Sequence, residues 1–193
     1  RSSDLNRQPT IPGVDYVCSD NAAGAELAAD QLLRSGCRRF GWLNHSPSTW
    51  AGRMRGEAFS RALQARGVDV ERHLAILACQ QEGYAGGLQA AALADEALEG
   101  IFCANAQLAC GFLDGMRQRG REAPADFQLI GFDNTPTTAQ YSYQLTTLHQ
   151  DVAAIARQAL ARLLERAADP SQPSRTTWVE VTLIHRRTSP FVI

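Results

Sequence analysis

From Ile101 to Phe132 the chain reads IFCANAQLACGFLDGMRQRGREAPADFQLIGF. Ile101 to Ala104 is a short run with no polar alternation, which predicts a strand buried on both faces. Ala106 to Arg119 has the length and periodicity of a helix, and Gly120 supplies the left-handed residue that ends one. Phe127 to Phe132 predicts a second strand. Strand, helix and strand in this order make a right-handed crossover between parallel neighbours.

The same unit recurs upstream. Phe40 to Asn44 (FGWLN) and Leu74 to Ala78 (LAILA) read as strands. Helices are predicted over 52–66, with Phe59, Ala62 and Leu63 on the apolar side, and from Tyr84 to Leu98. Val14 to Val17 is a short apolar piece, and Ser19-Asp20-Asn21 provides N-cap side chains for a helix. That helix carries Ala25, Ala28, Ala29, Leu32 and Leu33 and stops at Gly36. Residues 1–13 are polar, with Pro9 and Pro12, and read as a loop or leading arm. Helix and strand alternate from residue 20 to residue 133. This predicts an α/β fold, a doubly wound parallel sheet with helices on both faces and any ligand at the carboxyl ends of the strands.

Beyond residue 133 the pattern changes. Thr135 to Gln144 is a polar loop and Leu145 to Leu148 a short extended piece. A helix starting near Asp151 places Val152, Ile155, Ala156, Ala159, Leu160, Leu163 and Leu164 on one stripe. Asp169 to Ser174 is a loop. Trp178 to His185 alternates Val179, Val181 and Leu183 with polar neighbours, which predicts one edge strand with a wet face.

Composition narrows the function. The 193 residues are 45% hydrophobic, enough for a real core, and no apolar run approaches the roughly 20 residues that cross a bilayer. All 19 basic residues are Arg. Without Lys there is no Walker loop and no Schiff base. A net charge of −1 leaves no electrostatic footprint for gripping nucleic acid. The five cysteines form no C-x-x-C pair, so they read as buried small hydrophobes of a reducing cytosol. No G-x-S-x-G, H-E-x-x-H or G-x-G-x-x-G occurs, so no catalytic residue, metal ligand or cofactor is assigned.

Polar residues follow the apolar runs directly: Asn44-His45, Asn105 and Asp133-Asn134. These strand ends should meet in one crevice, near Arg53, Arg55 and Trp50. A carboxylate, a guanidinium, amides and an indole suit a small polyhydroxylated or anionic ligand. The blander roles stay open: Asp133 as a turn cap, Arg55 as a solvated helix residue, Asn105 as an N-cap, Trp50 as surface packing, Trp42 as core.

Ordered motifs then carry a resemblance. Val17-Cys-Ser-Asp-Asn21, Leu32-Leu-Arg-Ser-Gly36, Arg39-Phe-Gly-Trp-Leu43, Arg55-Gly-Glu-Ala-Phe59, Ile101-Phe-Cys-Ala-Asn105, Leu129-Ile-Gly-Phe-Asp133, Leu145-Thr-Thr147, His149-Gln150 and Leu183-Ile-His-Arg-Arg-Thr-Ser189 lie in one order. Together they resemble the effector-binding domain of lac-repressor/Gal-repressor (LacI/GalR) family transcription regulators. The resemblance implies a type I periplasmic-binding-protein-like fold with the amino-terminal lobe largely missing. In that division residues 1–20 end the amino-terminal lobe, 21–144 form the carboxyl-terminal lobe, 145–172 are a crossover and helix of the other lobe, and 173–193 return. The stripe of the 151–167 helix would then lack its usual partner.

By the same resemblance Arg55 and Asp133 are the main polar effector contacts. Asn105 is an amide contact, Gln150 a hinge-side glutamine, and Tyr84 or Gln81 lies near an aromatic contact. Ala106 stands where the family usually has Asp, and Ala58 where it usually has Gly. The implied partners are a sugar or related polar metabolite, a second copy of the chain through 106–119 and 135–144, and operator DNA only through a missing helix-turn-helix headpiece. The expected location is cytoplasmic, with no membrane partner. Two other readings stand beside this one: a periplasmic solute-binding protein of the same fold, and an α/β enzyme using Asp133 and His45.

Overall fold

The computed structural model describes residues 14–46 and 48–192. The leading arm expected over 1–13 lies outside the described residues. In chain order the elements are β1 (Tyr16–Ser19), α1 (Asn21–Arg34), β2 (Phe40–His45), α2 (Trp50–Ala65), α3 (Val70–His73), β3 (Leu74–Cys79), α4 (Gly83–Leu93), β4 (Gly100–Cys103), α5 (Ala106–Gln118), β5 (Gln128–Asp133), a 3-10 turn (Pro136–Ala139), β6 (Thr146–Gln150), α6 (Val152–Ala168), β7 (Thr176–Val179) and β8 (Val181–Ile184).

Six strands form one sheet in the order β3-β2-β4-β5-β6-β8. The first five are mutually parallel, and β8 runs antiparallel to β6. The doubly wound α/β architecture is therefore present, closed at one edge by a reversed strand. β1 and β7 pair in parallel as a separate two-stranded sheet.

Local chemistry sets the helix starts. Asp20, Thr49, Asn105 and Asp151 each accept a backbone N–H three residues on, at 2.8–3.1 Å. The core is a run of rings: Trp42 and Phe59 flank Phe102 at 5.1 and 5.2 Å, and Phe102 meets Phe132 at 6.4 Å. All five cysteines are unpaired and buried. Burial pushes the Cys18 thiol up to about 11 and Cys37 up to about 12, which keeps them protonated and unreactive.

The structure corrects three sequence expectations. The 84–98 helix ends at Leu93, where the Arg119 guanidinium takes the Ala91 and Ala94 carbonyls and so replaces the next helical turn. A single turn, α3, precedes β3 without any apolar periodicity to announce it. The predicted strand Trp178–His185 is two strands in two sheets, β7 beside β1 and β8 beside β6. Its alternation runs unbroken across Glu180, so the sequence carries no sign of the change of partner.

The chain passes between the two sheets three times, at Asp20, Asp151 and Glu180. These crossings are tied together. The Asp20 N–H donates to the Val179 carbonyl at 2.8 Å, and the Ser19 hydroxyl donates to Gln150 Oε1 at 2.7 Å. Beside them α6 buries only Ile155, in a small cluster with Val17 and Val179. Val152, Leu160, Leu163 and Leu164 are each more than half exposed. Among the described residues no helix is long and apolar enough to cross a membrane.

α4 and α5 touch through glycine. A Cβ on Gly111 would lie 2.0 Å from the Tyr84 carbonyl oxygen, and one on Gly87 would lie 2.2 Å from that of Leu108. Backbone cannot yield at such distances, so the helices would have to separate. Gly111→Ala should cost about 1–3 kcal/mol or more in urea unfolding. Gly67→Ala, where the added Cβ meets nothing and only the positive φ of 85° is strained, should cost about 1–2 kcal/mol.

Candidate binding cleft

β5 ends on two residues in the left-handed region, Asp133 (φ 88°) and Asn134 (φ 51°). Asp and Asn tolerate this conformation better than other non-glycine residues. The turn delivers the Asp133 carboxylate to the carboxyl end of the sheet. There it meets the start of α5, where the Ala106 N–H donates to it, and β6, where Gln150 Nε2 donates at 2.5 Å.

Arg55 reaches the same place from the second turn of α2. Its side chain is 7% exposed, and its guanidinium lies 3.4 Å above the Phe132 ring centroid. Nε donates to Asn21 Oδ1 at 2.7 Å and Nη1 donates to the Ala104 carbonyl at 2.6 Å, with Asp133 Oδ1 at 3.8 Å. Three loops of the fold are thus pinned by one side chain. Burial pushes the Arg55 group down to about 10 while the Asp133 charge pushes it back, so it remains a cation at neutral pH. Burial also raises the Asp133 carboxyl above the usual carboxylate value, against the opposing pull of Arg55, the Ala106 N–H and Gln150.

Beside Arg55 lies a cavity of about 280 Å³, lined by Arg55, Asn105, Asn44, Thr49, Glu82 and Gln107 among others, with Asp133 and Gln150 outside its lining. That is slightly below the roughly 300 Å³ at which closed ligand pockets begin. Asn105 does hold the N-cap of α5 through Oδ1, and it lines the cavity as well. Asn44 donates to Ser48 Oγ at 2.7 Å and lines the same wall. His45 rests against the Gln80 carbonyl at 3.2 Å, with Glu82 3.9 Å away.

The structure therefore gathers Arg55, Asp133, Asn105, Gln150 and Asn44 at one end of the sheet. Two expected residues stand elsewhere. Tyr84 donates to Asp114 Oδ2 at 2.8 Å, an oxygen it shares with Tyr143, on the face formed by α4, α5 and the 135–144 loop. The register of the loop before α4 explains this: Glu82, two residues earlier, is the one that reaches the cavity. Trp50 opens α2 and is half-buried, yet it does not line the cavity. Sequence reading missed Asn21, Ser19, Thr49 and Glu82. Asn21 was visible only as part of a capping triplet, and nothing in the chain marks its amide oxygen as a support for Arg55. Among the described residues no cluster of three His, Cys, Asp or Glu could hold a metal.

A sheet of this order, with polar groups converging at its carboxyl edge, has the architecture of a periplasmic-binding-protein-like domain. The model of the periplasmic binding protein-like domain matches residues 29–189, and the chain belongs to that family. Within it the chain is a LacI-family member. It is 30% identical to a transcriptional regulator of the LacI family from Sanguibacter keddieii, with a TM-score of 0.83, covering 94% of this chain and 70% of that one. The LacI-family regulator from Enterococcus faecium with bound ribose is 26% identical, with a TM-score of 0.86, over 98% of this chain and 70% of its own. The HTH-type transcriptional repressor PurR of Mannheimia succiniciproducens is 26% identical over 93% of this chain and 54% of its own length. The chain thus spans about half of that repressor.

Two outcomes are expected. Arg55→Ala, which strands the Asn21 amide oxygen, the Ala104 carbonyl and the Asp133 carboxylate, should lower unfolding free energy by about 3–5 kcal/mol in urea melts. In a ¹³C-detected titration the Asp133 carboxyl should protonate above its ordinary 3.8. The folded state then holds more protons than the unfolded one between the two values. The contribution of Asp133 to stability therefore falls as pH rises through that window and stays low at neutral pH.

Proposed function

We propose that this chain is the ligand-sensing part of a bacterial transcription regulator, and that its cleft takes a neutral sugar or a closely related polyol. The convergence of Arg55, Asp133, Asn105 and Gln150 carries the reading. A carboxylate accepts paired hydroxyls, a fixed guanidinium donates to ring or hydroxyl oxygens, and amides do either. The ribose bound by the Enterococcus faecium relative supports the class of ligand. A cavity smaller than an ordinary closed pocket suits one wall of a two-sided cleft.

In this reading the division drawn from sequence holds as a proposal. The two-stranded sheet β1–β7 and α6 belong with the opposing lobe, whose apolar surface covers Val152, Leu160, Leu163 and Leu164. Gln150 and Ser19, at the crossings, register whether the lobes have closed. Ligand acts only through its different affinity for the two arrangements. The regulator works in the cytoplasm as a homodimer, joined partly by the face that holds Tyr84, Asp114, Tyr143 and the 88%-exposed Tyr141, and meets operator DNA through a separate headpiece. It catalyses no reaction.

Titration calorimetry with a panel of pentoses, hexoses and their polyols tests this, using the full-length regulator. One sugar should bind, and Asp133→Ala should weaken it by about 10- to 150-fold, the loss of a hydrogen bond to a charged group. The far-ultraviolet circular dichroism of the variant should match the parent. Equal loss of binding and of folded signal would assign Asp133 to turn capping instead.

A further inference from the structure

A larger hollow lies outside the cleft, between α2 and the edge strand β3. It measures about 620 Å³, more than twice the cleft cavity and well inside the range of small-molecule sites. Its floor is apolar. Trp42 and Ile76 are register partners on β2 and β3, and Asn44 and Ala78 follow two residues on. Among the described residues β3 pairs only with β2 and forms the edge of the sheet, and Ile76 is 65% exposed although it sits in a strand.

Gly56 brings α2 down onto the floor. A Cβ there would stand 2.5 Å from Trp42 Nε1, so the absent side chain lets the α2 backbone lie against the indole edge beside the hollow. Trp42 is 6% exposed, and its N–H donates to no group among the described residues. An indole N–H without a protein acceptor can donate to a ligand.

The rim is cationic. Arg53, Glu57, Ser60 and Arg61 recur on one face of α2 at helical spacing and line the hollow. Arg53 gives Nη1 to the Ser48 carbonyl at 2.8 Å, and neither it nor Arg61 pairs with a carboxylate among the described residues. Two guanidiniums face one carboxylate, Glu57, which itself has no cationic partner there. His45 adds an imidazole ring to the lining.

From the apolar floor, the idle indole donor and the cationic rim, we infer that this hollow is a second ligand site, taking a small amphipathic carboxylate. The apolar body lies over Ile76, Ala78 and the indole edge. The anionic group accepts from Trp42 Nε1 and from Arg61 or Arg53. Asn44 and His45 line both this hollow and the cleft cavity, so the two sites share a wall. An occupant of one changes the surroundings of the other, and the coupling is reciprocal.

Sodium benzoate and sodium hexanoate are the probes, added to the ¹⁵N-labelled chain, with benzyl alcohol as the neutral comparison. The Trp42 indole N–H resonance should move in a saturable manner with both carboxylates, and the Asn44 side-chain amide should move with it. Benzyl alcohol should bind at least fivefold more weakly than benzoate. Arg61→Gln should weaken benzoate about fivefold without changing the thermal midpoint, because Arg61 is exposed and unpaired. Ile76→Asp should abolish the shift. An unresponsive Trp42, equal binding of the alcohol and the carboxylate, or undiminished binding in Arg61→Gln would each overturn the inference. So would saturable shifts confined to the backbone amides of β3, which would mark an added strand rather than a small ligand. None of these outcomes depends on whether the cleft binds a sugar.

Discussion

One buried cation organises the binding end of this molecule. The Arg55 guanidinium sits on the Phe132 ring and spends its donors on Asn21 and on the Ala104 carbonyl, with Asp133 beside it. Those partners come from α1, from the end of β4 and from the end of β5. Burying a cation and a carboxylate together costs desolvation that their attraction only partly returns. The raised carboxyl and the lowered guanidinium both record that cost. A fold needing only stability would fill such a place with apolar side chains. Keeping charges here fits a surface that must recognise oxygen-rich molecules.

The same residues explain what could be read from the amino-acid order. Parallel strands announce themselves by apolar runs, and the polar residue after each run is carried to the shared edge by topology alone. Asn105 and Asp133 were legible for that reason, Arg55 as the opening of the helix that follows a strand, and Gln150 only through the family resemblance. Asn21 was not, because its supporting role depends on how α1 leans against α2. Tyr84 was misplaced through the register of one loop: two residues separate a side chain facing Asp114 from Glu82 at the cavity. The split of 176–184 between two sheets was hidden because period-two alternation reports which side is wet and says nothing about which strand lies alongside.

Small residues carry the tight places. Gly87 and Gly111 let α4 and α5 meet backbone to backbone, and Gly56 lets α2 lie against the Trp42 indole. The first two contacts fix helix on helix, the third helix on sheet. This difference follows from what each absent Cβ would have touched, carbonyl oxygens in the one case and the edge of an aromatic ring in the other.

The three crossings at Asp20, Asp151 and Glu180 behave as a bundle rather than as independent joints. With Asp20 bonded to Val179 and Ser19 to Gln150, torsion applied at one strand is shared at once by its neighbours. Gln150 holds Asp133 by its nitrogen and Ser19 by its oxygen. In the proposed two-lobed sensor, a molecule drawing on that carboxylate would tug, through a single amide group, on the axle between the two halves.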